Sequence, residues 1–145
     1  HMLKKLVAFL AVFVMSFGVF FTSQAYAYTQ FGPASWRTED GKYELTLKTT
    51  STDNDVTVVI WDLYRVSYST GKAVPYWTEE LKVRLCNAST GNCTSFKNLT
   101  DPLGHSAFGA DFTNMKPGTF YVDIRDPDPG YYYKGLIRAT VQNAY

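Results

Sequence analysis

Phe120-Tyr-Val-Asp-Ile-Arg-Asp-Pro-Asp-Pro-Gly-Tyr-Tyr-Tyr-Lys-Gly-Leu-Ile-Arg-Ala-Thr-Val141 is the stretch whose reading decides the fold. On one side of the Pro-rich centre, Phe120, Val122 and Ile124 alternate with Tyr121, Asp123 and Arg125. On the other, Tyr131, Tyr133, Gly135, Ile137, Ala139 and Val141 alternate with Tyr132, Lys134, Leu136, Arg138 and Thr140. A period of two belongs to a strand with one buried face. With Asp126-Pro-Asp-Pro129 as the connection, Ile124 pairs with Tyr131 and Val122 with Tyr133. The apolar sets then share one face, while Tyr121, Asp123, Tyr132 and Lys134 share the other. A slip of one residue would mix the two sets, which a one-sided sheet disfavours.

The same alternation recurs upstream. Tyr43, Leu45 and Leu47 alternate with Glu44, Thr46 and Lys48 after an Asp40-Gly41 turn. Val56 to Val66 is rich in β-branched and aromatic residues, and Leu81, Val83 and Leu85 alternate with Lys82 and Arg84. Cys93 to Leu99 and Ala107 to Phe112 are shorter strand candidates. No segment carries helical periodicity. About seven strands separated by turn signals predict an all-β chain forming a single antiparallel β-sandwich, Ig-like or jelly-roll-like.

Residues 28–145 are expected to form that domain. Before them, Leu3-Lys4-Lys5 leads into sixteen almost unbroken apolar residues, Leu6 to Phe21, and then Ala25-Tyr26-Ala27. A charged start, an apolar run and a small-residue site are the parts of a secretory signal peptide, with cleavage expected after Ala27. The run falls short of the ~20 apolar residues of a spanning helix. Residues 1–27 are therefore set aside as leader, with His1 ahead of Met2 read as a cloning scar. The expected location is extracellular, and the short lysine start is of the bacterial kind. A membrane enters only through an uncleaved leader.

Without Lys4 and Lys5, 12 basic residues face 13 acidic ones. A near-neutral chain with no run of like charge lacks the basic excess that nucleic acid or anionic lipid demands. Cys86 and Cys93 are the only cysteines. In a secreted chain they read as one disulfide at the base of a hairpin loop.

Asn114-Met-Lys-Pro-Gly118 followed by Thr119-Phe-Tyr-Val-Asp-Ile124 resembles a turn-plus-strand that recurs in bacterial secreted β-sandwiches, the prepeptidase-C-terminal and Ig-like modules among them. The resemblance covers Asn114 to Val141. It implies the sandwich architecture and carries no functional residues across, because such modules do many jobs on one scaffold.

No nucleophile elbow, zinc-protease motif or phosphate loop is present, and His105 is the one histidine after the leader. Glu79 and Glu80, being adjacent, point to opposite faces of a strand and make a poor carboxylate pair. No catalytic residue is assigned and no enzyme is expected. Asp126 and Asp128 in one loop, and Asp53 and Asp55 in another, would suit Ca²⁺ if the loops met at one end of the sandwich and pooled their oxygens.

Aromatic content carries the functional hint: 18 Phe, Trp and Tyr residues follow the leader, mostly tyrosine. Phe96, Phe108, Phe112, Phe120 and Trp61 are expected in the core. Tyr121 and Tyr132, with Tyr76 and Trp77 from the irregular segment Ser67 to Glu80, are expected at the surface. That segment reads as a long loop or as an edge strand interrupted by Pro75. Rings on a rigid sheet suit sugar stacking or a protein surface. The expected function is a secreted, non-catalytic binding module for extracellular polysaccharide or cell wall, through Tyr121, Tyr132, Tyr76 and Trp77 with Asp123 and Lys134 as polar partners. The alternatives are an antimicrobial or inhibitory effector and a self-associating matrix protein.

Overall fold

The computed structural model describes residues 28–143, so the expected leader, residues 1–27, lies outside the described residues. Nine strands and no helix make up the described chain. They are β1 (Tyr28–Arg37), β2 (Leu45–Thr49), β3 (Asp53–Ser67), β4 (Ala73–Pro75), β5 (Lys82–Asn87), β6 (Lys97–Asn98), β7 (Ala107–Phe112), β8 (Gly118–Arg125) and β9 (Tyr131–Asn143). They form two antiparallel sheets packed face to face, the β-sandwich that the alternation predicts.

The five-stranded sheet runs β1-β9-β3, and the far edge of β3 is shared: β7 pairs Val56–Trp61 and β4 pairs Tyr64–Val66. The four-stranded sheet runs β2-β8-β5-β6. Between them lies one core in which Leu47, Ile60, Leu81, Leu85, Phe108 and Ile137 have no exposed surface. Loss of such a side chain costs roughly 2–5 kcal/mol.

The expected pairing of the last two strands is overturned. β8 lies between β2 and β5, and β9 lies between β1 and β3, so each already has a neighbour on both edges and they belong to different sheets. Asp126–Gly130 is a crossover. Thr38 Oγ1 donates to Asp126 (2.6 Å) and accepts the Tyr133 N–H (3.0 Å), which anchors the crossover beside the end of β1. Alternation fixes the buried face of a strand, and a one-sided strand fits either layer equally well. Val122, Ile124, Tyr133, Ile137, Ala139 and Val141 are indeed buried.

Other departures have local causes. β1 was not foreseen; its first half is exposed apart from the partly buried Phe31 and shows little alternation. Cys93 to Leu99 contributes only the two residues of β6. Of the two readings of Ser67 to Glu80, the edge strand holds: β4 ends at Pro75, which has no N–H to continue a ladder. Alternation fails at Glu44, which is buried while Tyr43 is exposed. Phe96 is outside the core, with Arg84 and Arg125 over its ring at 4.6 and 4.4 Å. Trp61 is likewise outside it, half-buried beneath Arg138.

Candidate functional site: a bulge cleft in the five-stranded sheet

Ile60 and Leu63 are both buried although they are three residues apart. Strict alternation cannot place both inward, and β3 resolves the conflict with a bulge: its register with β9 shifts between Trp61 and Tyr64. Asp62 sits in the bulge with φ 55°, a left-handed conformation that aspartate tolerates better than most residues. Gly135 of β9 makes room for it. A Cβ there would fall 2.7 Å from the Trp61 carbonyl oxygen and 2.9 Å from that of Asp62.

The bulge also falls in the gap between β7 and β4. The Tyr76 N–H closes part of the gap by donating to the Leu63 carbonyl (3.0 Å). What remains is an open cleft of about 330 Å³ walled by Tyr64, Tyr76 and Trp77, with Asp62, Pro75 and Ser106 at its rim. The Asp62 carboxylate has no hydrogen-bond or ion partner among the described residues.

One wall, Trp77, and the Ser106 rim are held by one buried residue, Asp101. Its carboxylate accepts Trp77 Nε1–H (2.9 Å) and the backbone N–H groups of His105 (3.0 Å) and Ser106 (2.8 Å). Burial opposes the charge on Asp101, but these donors outweigh it and hold the carboxyl below its ordinary range. Glu79 in turn accepts the Asp101 N–H (2.6 Å), tying the Trp77 segment to the 101–106 loop. Trp77 is thus fixed in direction while 53% of its surface stays exposed.

The expected site residues divide between places. Tyr76 and Trp77 are together in the cleft. Tyr121 is on the outer face of the four-stranded sheet, stacked on Tyr43 with centroids 4.7 Å apart, and Asp123 there is paired with Arg84 at 2.7 Å. Tyr132 and Lys134 are on β9 in the other sheet, so the shared face expected for Tyr121, Asp123, Tyr132 and Lys134 does not exist. Tyr132 lies beneath the Arg37 guanidinium at 3.7 Å and beside Tyr68, so its ring already has neighbours.

The acidic loops do not meet. β3 and β9 are antiparallel with Asp53 opposite Asn143 and Ser67 opposite Tyr131, so Asp53 and Asp55 lie at the opposite end of the sheet from Asp126 and Asp128. Asp55, Asp126 and Asp128 each accept a local hydrogen bond. Asp55 accepts the Asn114 N–H (2.8 Å), and Asp128 accepts the hydroxyl of Tyr133, which burial and that carboxylate push above its ordinary pKa. No group of three metal-ligating side chains forms among the described residues. The disulfide is as expected: Cys86 and Cys93 are bonded (2.07 Å) across the base of the Asn87–Asn92 loop.

Tyr64, Asp62, Ser106 and Asp101 were missed by sequence reasoning. The Ile60–Leu63 spacing was the available signal for the bulge, whereas Ser106 and Asp101 arrive from a distant loop. A second pocket, about 370 Å³, opens beside the disulfide hairpin over Leu85, Met115 and Phe120. Its Asn87 side-chain Oδ1 already accepts the Ser89 and Thr90 N–H groups, and it has no exposed ring. No protein-family model, no curated protein and no solved structure matches this chain. The chemistry of the cleft therefore has to carry the functional reading by itself.

Proposed function

We propose that the protein is a secreted, non-catalytic binding module for extracellular polysaccharide or cell wall, and that a sugar unit is held in the bulge cleft. The observation that carries this reading is the convergence of Tyr64, Tyr76 and Trp77 on one open cleft with Asp62 and Ser106 at its rim. A sugar ring presents a C–H face that stacks on an aromatic plane and an edge of hydroxyls that seek acceptors. A concave, mostly apolar site with a few convergent polar groups meets both needs. Trp77 is oriented in advance by Asp101, so less side-chain ordering is left for binding to impose. The Cys86–Cys93 bridge is of the kind an oxidising compartment permits, which supports the extracellular part of the reading.

The test is retention of the full chain on insoluble chitin, cellulose, starch and bacterial cell wall, for wild type and Trp77→Ala. Saturable retention on one polymer is expected, weakened about tenfold or more in the variant, with a sandwich that still folds but melts several degrees lower because truncation also removes a donor from the buried Asp101 carboxylate. Retention on none of the polymers, or retention indifferent to Trp77, would overturn the proposal.

A further inference from the structure

The cleft has a charge as well as a shape. Of the side chains lining it, Asp62 alone carries a formal charge, and neither lysine nor arginine is among them. Arg65, which covers a face of Tyr76 at 4.1 Å, is not part of the lining. The three rings add to the same sign, because the face of an aromatic ring is the negative side of its quadrupole and attracts cations. Tyrosine and serine hydroxyls accept as readily as they donate. The side chains that line the cleft are thus acceptor-rich and π-walled and carry one negative charge, with the Arg65 guanidinium beside them held against the Tyr76 and Tyr131 rings at 4.1 Å. A neutral sugar would leave the exposed Asp62 carboxylate facing water, and the carbonyl of an N-acetyl group would find no cationic or amide donor among the lining side chains.

An ammonium group is the complement: three donors, no acceptor and a positive charge. Resting on the glycan-binding reading above, we infer that the cleft selects a glycan bearing a free amino group, a de-N-acetylated amino sugar. Its ring stacks on Trp77 and its ammonium sits between the Asp62 carboxylate and the tyrosine faces. The bulge has a purpose in this arrangement. A regular strand would leave β3 without the extra residue, whereas the left-handed turn at Asp62 brings a carboxylate to the cleft rim.

The test compares a β-1,4-linked glucosamine tetramer with its N-acetylated counterpart, by calorimetry at mildly acidic pH, for wild type and Asp62→Asn. Asparagine tolerates the left-handed conformation, so the variant keeps the bulge. Wild type is expected to bind the free-amine tetramer at least tenfold more tightly. Asp62→Asn is expected to bring the two within about threefold, mainly by weakening the free-amine form. Equal affinities in wild type, or a preference that survives Asp62→Asn, would overturn the inference and leave the glycan reading standing. Displacement of the tetramer by methylamine as effectively as by glucosamine would also overturn it, because the sugar ring would then contribute nothing. Failure of wild type to bind either tetramer or any polymer in the retention assay would remove the glycan reading itself.

Discussion

The two sheets bury the same kind of apolar face and differ in what they do with the rest of themselves. The four-stranded sheet is regular, with β2, β8 and β5 pairing without a register shift, and its outer groups satisfy one another. Tyr43 stacks on Tyr121, Arg84 pairs with Asp123, and Phe96 lies under two guanidinium groups. The five-stranded sheet contains a bulge, a split edge and a cleft with an unpaired carboxylate. Regular pairing closes a surface, and an interruption supported from behind opens one. Gly135 and Asp101 provide that support here, one behind the bulge and one behind the Trp77 wall.

The sharpest way to break this contrast is Gly135→Ala. The added methyl meets backbone, which yields less readily than a flexible side chain, so β3 or β9 must move. Overpacking of this kind costs about 1–3 kcal/mol. The expected outcome is a melting temperature lower by several degrees together with loss of glycan retention. A variant that retains both stability and binding would show that the bulge is not required.

The four-stranded sheet has its own exception in Glu44. Its carboxylate accepts the Ile124 N–H at 2.7 Å where the chain enters β2. Burial raises its pKa to about 8, with help from Asp123 and Asp40 and against the Ile124 hydrogen bond. A carboxyl that holds its proton more tightly when folded contributes most stability below its unfolded value of 4.5 and loses it as pH climbs towards 8. Melting temperature is therefore expected to fall between pH 5 and 8, with a slope of at most about 1.4 kcal/mol per unit. Glu44→Gln is expected to flatten the profile. An unchanged slope in that variant would assign the dependence to other groups.

Tyr121→Ala is the smallest effect and the most direct check on the division between sheets. Loss of the Tyr43 stack is expected to cost about 0.5–1.5 kcal/mol and to leave glycan retention unchanged. Loss of retention with stability intact would move the binding face to the four-stranded sheet.

The chain shows plainly which residues face inward. Val122, Ile124, Ile137 and Val141 alternate because water is on one side of them, and that physics is local. Which strand lies beside which is not local, since β8 and β9 present equivalent apolar stripes and only the packing of the whole decides their sheets. The site divides in the same way. Trp77 was legible as a ring in a segment too irregular to bury it, whereas Tyr76, expected at the surface, is half-buried against the core beside Tyr133. Asp62 hid inside a good strand, and Ser106 reaches the cleft from a distant loop that Asp101 holds from behind. Tyr121 and Tyr132 lie in different sheets, and each ring has a partner, Tyr43 or Arg37, that spacing does not reveal.

The position of β9 has a kinetic consequence. It pairs Tyr28 with Gln142 and Asp53 with Asn143, so a strand that follows both β1 and β3 by many residues lies between them. Neither β1 nor β3 can find the other until the intervening residues are available, and the longest chain closures must precede the reward of a formed sheet. Folding of such a topology belongs to the slow regime, of the order of milliseconds to seconds. A chain emerging from its N-terminal side would leave the five-stranded sheet open and unable to lock until β9 had followed.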